Sequence, residues 1–177
     1  LLGEFGIKLA SHTVQIGLVK LSRSPKNFGE IASVFETDPG IRCTDKKISE
    51  KMKEAITNAR ARKDTLGGAV EVVASGVPVG LGSVMHFDRR LDGRLAQALM
   101  SIPSVKGVEI GKAYSIAAML GSDVQDVSSY KEGRYVRVTN NMGGIEGGMS
   151  NGEDIVCRVY HKPIATLGSP LKTVDIS

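Results

Sequence analysis

Residues 137–175 read RVTNNMGGIEGGMSNGEDIVCRVYHKPIATLGSPLKTVD, and the rest of the chain can be interpreted outward from this stretch. Five glycines lie within residues 143–152, with asparagine and serine among them. Glycine lets the backbone adopt positive φ, and backbone N–H groups in such loops can receive an anionic or planar group. The same composition is typical of a long turn between two strands, so the glycine run alone leaves both interpretations open.

The residues after the glycines alternate in polarity, which predicts a strand over 155–161. One side of this strand would carry Ile155, Cys157, Val159 and His161, and the other Val156, Arg158 and Tyr160. Pro163 ends the strand because proline cannot donate to a sheet. Lys162 therefore lies at the strand end, beside an irregular loop that carries Thr166. The Lys162 ammonium and the Thr166 hydroxyl are thus expected to lie close to each other.

Three segments of this stretch together form a specific pattern. They are GGIEGGMSNGE at 143–153, KPIAT at 162–166 and LKTVD at 171–175. In order and spacing they resemble chorismate synthases. That family uses reduced FMN to eliminate phosphate from 5-enolpyruvylshikimate 3-phosphate, which yields chorismate in the shikimate pathway of aromatic amino acid biosynthesis.

The resemblance implies cofactor contacts at eight positions. They are Pro103, Ser104, Gly147, Lys162, Pro163, Ile164, Ala165 and Thr166. Many family members carry Asn or Gln where this chain has Pro103, so a flavin contact there must be apolar or use the carbonyl. Lys162 with Thr166 is expected to hold an anionic group, and Gly147 to allow close backbone approach.

Three motifs of the family have no match in this chain. They are the Gly-Glu-Ser-His-Gly, Ser-Ala-Arg-Glu and Arg-Ser/His-Asp types, which carry two catalytic histidines, several substrate-binding arginines and the catalytic aspartate. The contexts of His12, His86 and His161 do not match, so no catalytic residue is assigned here. We therefore expect an incomplete, inactive fragment of the enzyme. The alternative is a non-catalytic structural core that keeps only part of the flavin site.

Composition fits this interpretation and disfavours two others. The chain has 177 residues, which suits a single domain over 1–177, and its net charge of +4 favours anionic ligands. Lysine and arginine are dispersed and no nucleic-acid motif is present, so a nucleic-acid partner is not expected. No apolar run approaches the ~20 residues of a membrane helix.

Cysteine usage and the start of the chain predict a cytoplasmic protein. Cys43 and Cys157 form neither a disulfide framework nor a metal-ligand spacing, which suits a reducing compartment. The first residues contain no basic leader followed by an apolar region. They resemble the end of a helix, as expected of a chain that continues beyond this sequence.

The remaining periodicities predict an α+β fold with mostly antiparallel strands. Strands are predicted at 5–20, 69–75, 105–110 and 155–161, and helices at 27–35, 44–63 and 88–100. The family's fold is a βαβ sandwich with helices between two sheets, and its members assemble as homotetramers.

Two further residues receive structural interpretations. His12 lies alone in a predicted strand, where a histidine is more often structural than a functional base. Residues 112–133 are predicted to be a mobile loop over a site, with Asp126 facing solvent.

Overall fold

The computed structural model describes residues 1–23, 25 and 27–174, so Asp175 of the LKTVD motif lies outside the described residues. The strands are β1 (Lys8–Ile16), β2 (Val19–Lys20), β3 (Gly68–Ser75), β4 (Val105–Ile110), β5 (Ser128–Lys131), β6 (Arg134–Arg137), β7 (Ile145–Glu146), β8 (Met149–Ser150) and β9 (Ile155–His161). The helices are α1 (Phe28–Thr37), α2 (Lys46–Ala61), α3 (Leu91–Met100), α4 (Ala113–Ile116) and α5 (Gly121–Val124), with 3₁₀ turns at Leu2–Phe5 and Phe87–Arg89.

A five-stranded sheet in the order β2-β1-β3-β9-β4 forms the centre of the molecule. Every neighbouring pair in it is antiparallel. Two hairpins, β5-β6 and β7-β8, stand outside this sheet. The predicted α+β class with antiparallel pairing is therefore confirmed.

The sequence periodicities predicted the strands well, with one correction. The strands at 105–110 and 155–161 have the predicted bounds, and β3 begins one residue before its prediction. The single strand predicted over 5–20 is wrong, because a turn at residues 17–18 divides it into the antiparallel pair β1 and β2.

The apolar face of the sheet packs against α3. Val72 pairs with Cys157 across β3 and β9, so their side chains share one face. On this face Ile155 and Cys157 are buried against a stripe on α3 formed by Leu91, Leu95 and Leu99. β9 thus lies inside the sheet with α3 across it, and both elements end near the segments from which a site was predicted.

Capping side chains set the starts of α1 and α2. Asn27 accepts a hydrogen bond from the N–H of Glu30, and Asp45 accepts from those of Lys47 and Ile48. In the middle of α2, Met52 is fully buried. The observed bounds of both helices differ from the predicted bounds by no more than two residues at each end.

Two predictions for the second half of the chain were wrong in detail. Arg90 has extended backbone angles, so residues 87–89 form a separate 3₁₀ turn and α3 begins at Leu91 rather than at 88. Residues 112–133 are not one irregular loop, since they contain α4, α5 and β5. Among the described residues, no helix has the length and apolar character needed to cross a membrane.

Candidate functional site

Seven of the eight predicted site residues lie together where β9 ends. The N–H of Lys162 donates to the carbonyl oxygen of Ser104 at 2.9 Å, and Val105 pairs with His161. Ser104 Oγ and His161 Nδ1 are hydrogen-bonded at 2.8 Å. We call Pro103, Ser104 and residues 161–166 the clamp region. Two segments almost sixty positions apart in sequence therefore form one surface.

Ser104 adopts a backbone conformation that non-glycine residues rarely take. Its φ is +74°, in the left-handed region, which costs about 1–3 kcal/mol for such a residue. Next to it, the pairing of β4 with β9 shifts register between Val105 and Gly107. The two hydrogen bonds to β9 hold Ser104 in this position. Strain of this kind concentrates where a side chain must be aimed.

The loop after β9 is tied to the segment that follows α2. Thr65 Oγ1 donates to the carbonyl of Ile164 at 2.7 Å, and the N–H of Gly168 donates to the carbonyl of Lys63 at 3.0 Å. A Cβ on Gly67 would lie 2.5 Å from the carbonyl oxygen of His161, so only glycine permits this close packing. The loop is thus held at both its start and its end.

The clamp region contains successive backbone donors without a protein partner. In the described part of the chain, the backbone N–H groups of Ile164, Ala165 and Thr166 donate to no protein acceptor. The side chains of Lys162 and Thr166, in the same segment, are exposed. Backbone N–H groups, an ammonium and a hydroxyl are the kinds of donor that bind phosphate groups.

A groove of about 770 Å³ opens next to the clamp region. Its apolar lining includes Ile56, Leu66, Val70 and Ile164, and its polar lining includes Arg60, Lys63, Asp64, Thr65 and His161. This size and mainly apolar character are typical of small-molecule sites. An apolar groove beside free phosphate donors fits a planar ligand that carries an anionic group.

Gly147 lies apart from the other predicted residues. It forms, with Gly148, the turn of the β7-β8 hairpin, and Gly148 accepts a hydrogen bond from the N–H of Leu91 at the start of α3. Ser104 follows the other end of α3, which at 1.5 Å per residue is about 15 Å away. The assignment of Gly147 to the flavin site stays a prediction, and it requires a ligand contact at the opposite end of α3 from the clamp region.

The glycine run itself is a compact pair of turns, which we call the glycine hairpin (residues 143–152). Gly147 and Gly148 have φ of +59° and +84°, as two-residue hairpin turns require. A Cβ on Gly144 would lie 2.6 Å from the carbonyl oxygen of Asp154, whereas a Cβ on Gly147 would meet only Val84 at 3.8 Å. The interpretation of this run as a turn between strands is confirmed.

Asp126 is buried, so the prediction that it faces solvent was wrong. Its carboxylate accepts hydrogen bonds from Thr139 at 2.6 Å and from the N–H groups of Asn141 and Met142 at 2.7 and 2.8 Å. Burial by itself raises the pKa of Asp126, but these hydrogen bonds and nearby Arg137 lower the pKa below its ordinary value. Asp126 anchors the backbone that enters the glycine hairpin.

A polar ladder crosses four strands on the face of the sheet opposite α3. His12 Nε2 and Glu71 Oε1 lie 3.0 Å apart, Arg158 donates to Glu71 at 2.6 Å and to Glu109 at 3.2 Å, and Tyr160 also bonds to Glu109. Burial raises the pKa of Glu71, and the bonds from His12 and Arg158 outweigh it and lower that pKa. Single-sequence reasoning missed this ladder because its members come from separate strands. It supports the structural interpretation of His12.

Comparisons with known proteins agree on one family. A family model described as chorismate synthase matches residues 1–177. Chorismate synthase from Moorella thermoacetica (strain ATCC 39073 / JCM 9320) is 49% identical over 177 residues, covering 99% of this chain and 45% of that protein. Chorismate synthase from Bacillus subtilis (strain 168) is 46% identical over 178 residues, with the same two shares.

A comparison with solved structures agrees with the sequence comparisons. A solved structure described as "Crystal Structure of Chorismate Synthase" superposes with a TM-score of 0.84 at 42% identity, covering 93% of this chain and 52% of that one. The chain therefore spans about half the length of the relatives it matches.

Proposed function

Because this chain belongs to the chorismate synthase family, we propose that its clamp region binds reduced FMN. In this proposal the chain is part of an enzyme that converts 5-enolpyruvylshikimate 3-phosphate to chorismate. The observation that carries it is the contact of Ser104 with Lys162 at the start of a loop whose N–H groups at 164–166 have no acceptor among the described residues. Nothing in the pattern of the sequence alone required Pro103 and Ser104 to meet residues 162–166.

The clamp region would hold the flavin phosphate. The N–H groups of Ile164, Ala165 and Thr166 have no acceptor among the residues that the structure describes, and Lys162 adds a positive charge to the same segment. Pro163 fixes the backbone direction at the start of this loop. The hydrogen bonds from Thr65 to Ile164 and from Gly168 to Lys63 keep the donors in place before a ligand arrives, which lowers the entropy cost of binding.

The groove beside the clamp region would receive the ring system. Its apolar side chains, among them Leu66, Val70 and Ile164, would contact the ring and displace water from it. When bound, a reduced flavin supplies an electron-rich ring that assists the loss of phosphate from the substrate. The contribution of these residues is to bind, to orient and to exclude water.

The proposal is tested by Lys162→Met. The change keeps most of the side-chain length and removes the charge, so packing changes little. A hydrogen bond to a charged group contributes about 1.5–3 kcal/mol, and ~1.4 kcal/mol is tenfold in affinity. We expect FMN, titrated by fluorescence, to bind about ten- to a hundredfold more weakly to the variant.

Lys51→Met, at an exposed position on α2, is the matched control and should leave FMN affinity unchanged. If Lys162→Met and Lys51→Met have the same small effect, Lys162 does not contact the cofactor. If the unaltered chain binds no FMN at all, the flavin site is abandoned in favour of a non-catalytic structural core.

We also propose that this polypeptide by itself forms no chorismate. The family motifs that carry the catalytic histidines and the aspartate have no match among its residues. Incubation with 5-enolpyruvylshikimate 3-phosphate, FMN and a reductant should give no chorismate by chromatography. Detectable product would show that residues of this chain carry out the proton transfer.

Assembly as a homo-oligomer, a tetramer as in the family, and a cytoplasmic location complete the proposal. Several large apolar side chains are strongly exposed, including Phe87 at 88% and Met85 at 83%. Apolar surface of this kind marks interaction sites. Sedimentation velocity of the purified chain would measure the assembly directly.

A further inference from the structure

One histidine of the clamp region has a nitrogen whose role the family resemblance does not explain. His161 is half-buried at the end of β9 and is one of the residues that line the groove. Nδ1 is bonded to Ser104 Oγ at 2.8 Å. Within the described part of the chain, Nε2 has no hydrogen-bond partner.

The hydrogen bond at Nδ1 engages one ring nitrogen and leaves the other for a second partner. The Ser104 hydroxyl can donate to Nδ1, which makes Nε2 the N–H donor, or accept from Nδ1–H, which makes Nε2 an acceptor. The Ser104 backbone is itself held at φ +74° by the bond from the N–H of Lys162. These two contacts fix the orientation of the imidazole ring of a residue that lines the groove.

A comparison with His12 shows that this arrangement is not ordinary core packing. His12 is 1% exposed and its Nε2 is bonded to buried Glu71, inside the polar ladder. His161 instead faces a space bordered by the apolar side chains of Ile56, Leu66 and Ile164. Because Nε2 has no protein partner among the described residues, it is available to a ligand in this groove.

We propose that His161 contacts the ligand of this site and that its Nε2 donates a hydrogen bond to the polar edge of the flavin ring. The inference rests on the proposed function, since it places the ring in the groove and the phosphate on the loop. Ser104 acts as the positioning residue: in this proposal its hydroxyl donates to Nδ1, which leaves the ring proton on Nε2. Lys162 and His161 then recognise different parts of one ligand.

The test compares FMN with riboflavin, which has the same ring and no phosphate. His161→Leu removes the donor, so we expect both ligands to bind about tenfold more weakly in fluorescence titrations. His161→Gln can present an amide N–H in a similar place, so it should stay within about threefold of the unaltered chain. Lys162→Met should weaken FMN and leave riboflavin unchanged.

Controls separate this inference from the proposed function and from misfolding. His86→Leu alters an exposed histidine on another loop and should change neither affinity. An equal thermal midpoint for His161→Leu and His161→Gln shows that loss of binding is not loss of fold.

If Lys162→Met weakens FMN while His161→Leu weakens neither ligand, His161 is excluded and the phosphate site stands. If His161→Leu weakens FMN alone, the histidine contacts phosphate and the ring assignment is overturned. If the unaltered chain binds neither ligand, both proposals fall.

Discussion

The clamp region and the glycine hairpin lie at opposite ends of β9 and of α3, and they differ in how closely their backbone is packed. In the glycine hairpin the polar groups bond to one another: Asn140 bonds to Gly144 and to Asp154, and the N–H of Asn151 donates to the carbonyl of Gly144. In the clamp region the N–H groups of residues 164–166 have no acceptor among the described residues.

The difference shows that a loop rich in turn residues can serve either packing or ligand binding. Where a Cβ would collide with backbone, as at Gly144, glycine serves packing. Where N–H groups have no acceptor among the described residues and polar side chains are exposed beside them, the loop can bind. The glycine hairpin is conspicuous in the sequence, but the clamp region adds an exposed ammonium and an exposed hydroxyl to its backbone donors.

The strongest test of this contrast is a pair of identical substitutions within the glycine hairpin. Gly144→Ala should destabilise the chain by roughly 2–5 kcal/mol, because a left-handed alanine costs about 1–2 kcal/mol and overpacking against Asp154 adds about 1–3. Gly147→Ala meets open space and should cost only about 1–2 kcal/mol. Urea unfolding of the two variants measures the difference.

Equal free energies of unfolding for the two variants would show that Gly144 is not a packing position. FMN titration of Gly147→Ala extends the test to the site. A fall in affinity would join Gly147 to the clamp region through the ligand, while unchanged affinity would leave the hairpin purely structural.

Asp126→Asn tests how much the segment that leads into the glycine hairpin contributes to stability. The amide keeps one acceptor oxygen and sets an NH₂ group against a backbone N–H, so we expect a loss of about 2 kcal/mol near pH 7. Asp123→Asn, an exposed change three residues earlier, should cost almost nothing. FMN affinity should stay the same in both variants.

The pH dependence of the Asp126 contribution follows from the lowered pKa. Because the folded pKa lies below the ordinary value of 3.8, the unfolded chain takes up the proton first, and the stabilisation is complete above that value. It is lost as pH falls through the folded pKa. The gap in unfolding free energy between wild type and Asp126→Asn should therefore narrow below pH 3.8, and a constant gap down to pH 2 would contradict the assignment.

The smallest expected effect concerns the tie that holds the clamp region. Thr65→Val removes the hydrogen bond to the Ile164 carbonyl, worth about 0.5–1 kcal/mol at an exposed position. FMN affinity should fall about two- to fivefold, since the loop becomes less preorganised. Thr57→Val removes a similar Thr-to-carbonyl bond within α2 and should leave the affinity unchanged.

Local patterns predicted the elements from which the site is built. Alternation located β4 and β9 to the residue, because a strand with one buried face repeats every two positions. Helical periodicity located α2 to within two residues at each end. The short motifs, through their resemblance to a family, named two segments, 103–104 and 162–166, that the fold brings into contact at Ser104 and Lys162, and their role in cofactor binding stays a prediction. The turn that divides β1 from β2 was missed because the residues on both sides of it continue the same alternation.

The sequence by itself therefore determined the features that depend on residues close together in the chain: periodicity, caps, turns and the family pattern. The tertiary structure alone decided that Ser104 meets His161, that Arg158 lies between Glu71 and Glu109, and that Asp126 is buried. The contact between Ser104 and His161 and those of Arg158 join positions far apart in sequence, and the register of β3, β9 and β4 sets them. Register depends on how the whole sheet packs on α3, so it cannot be predicted from a local sequence pattern.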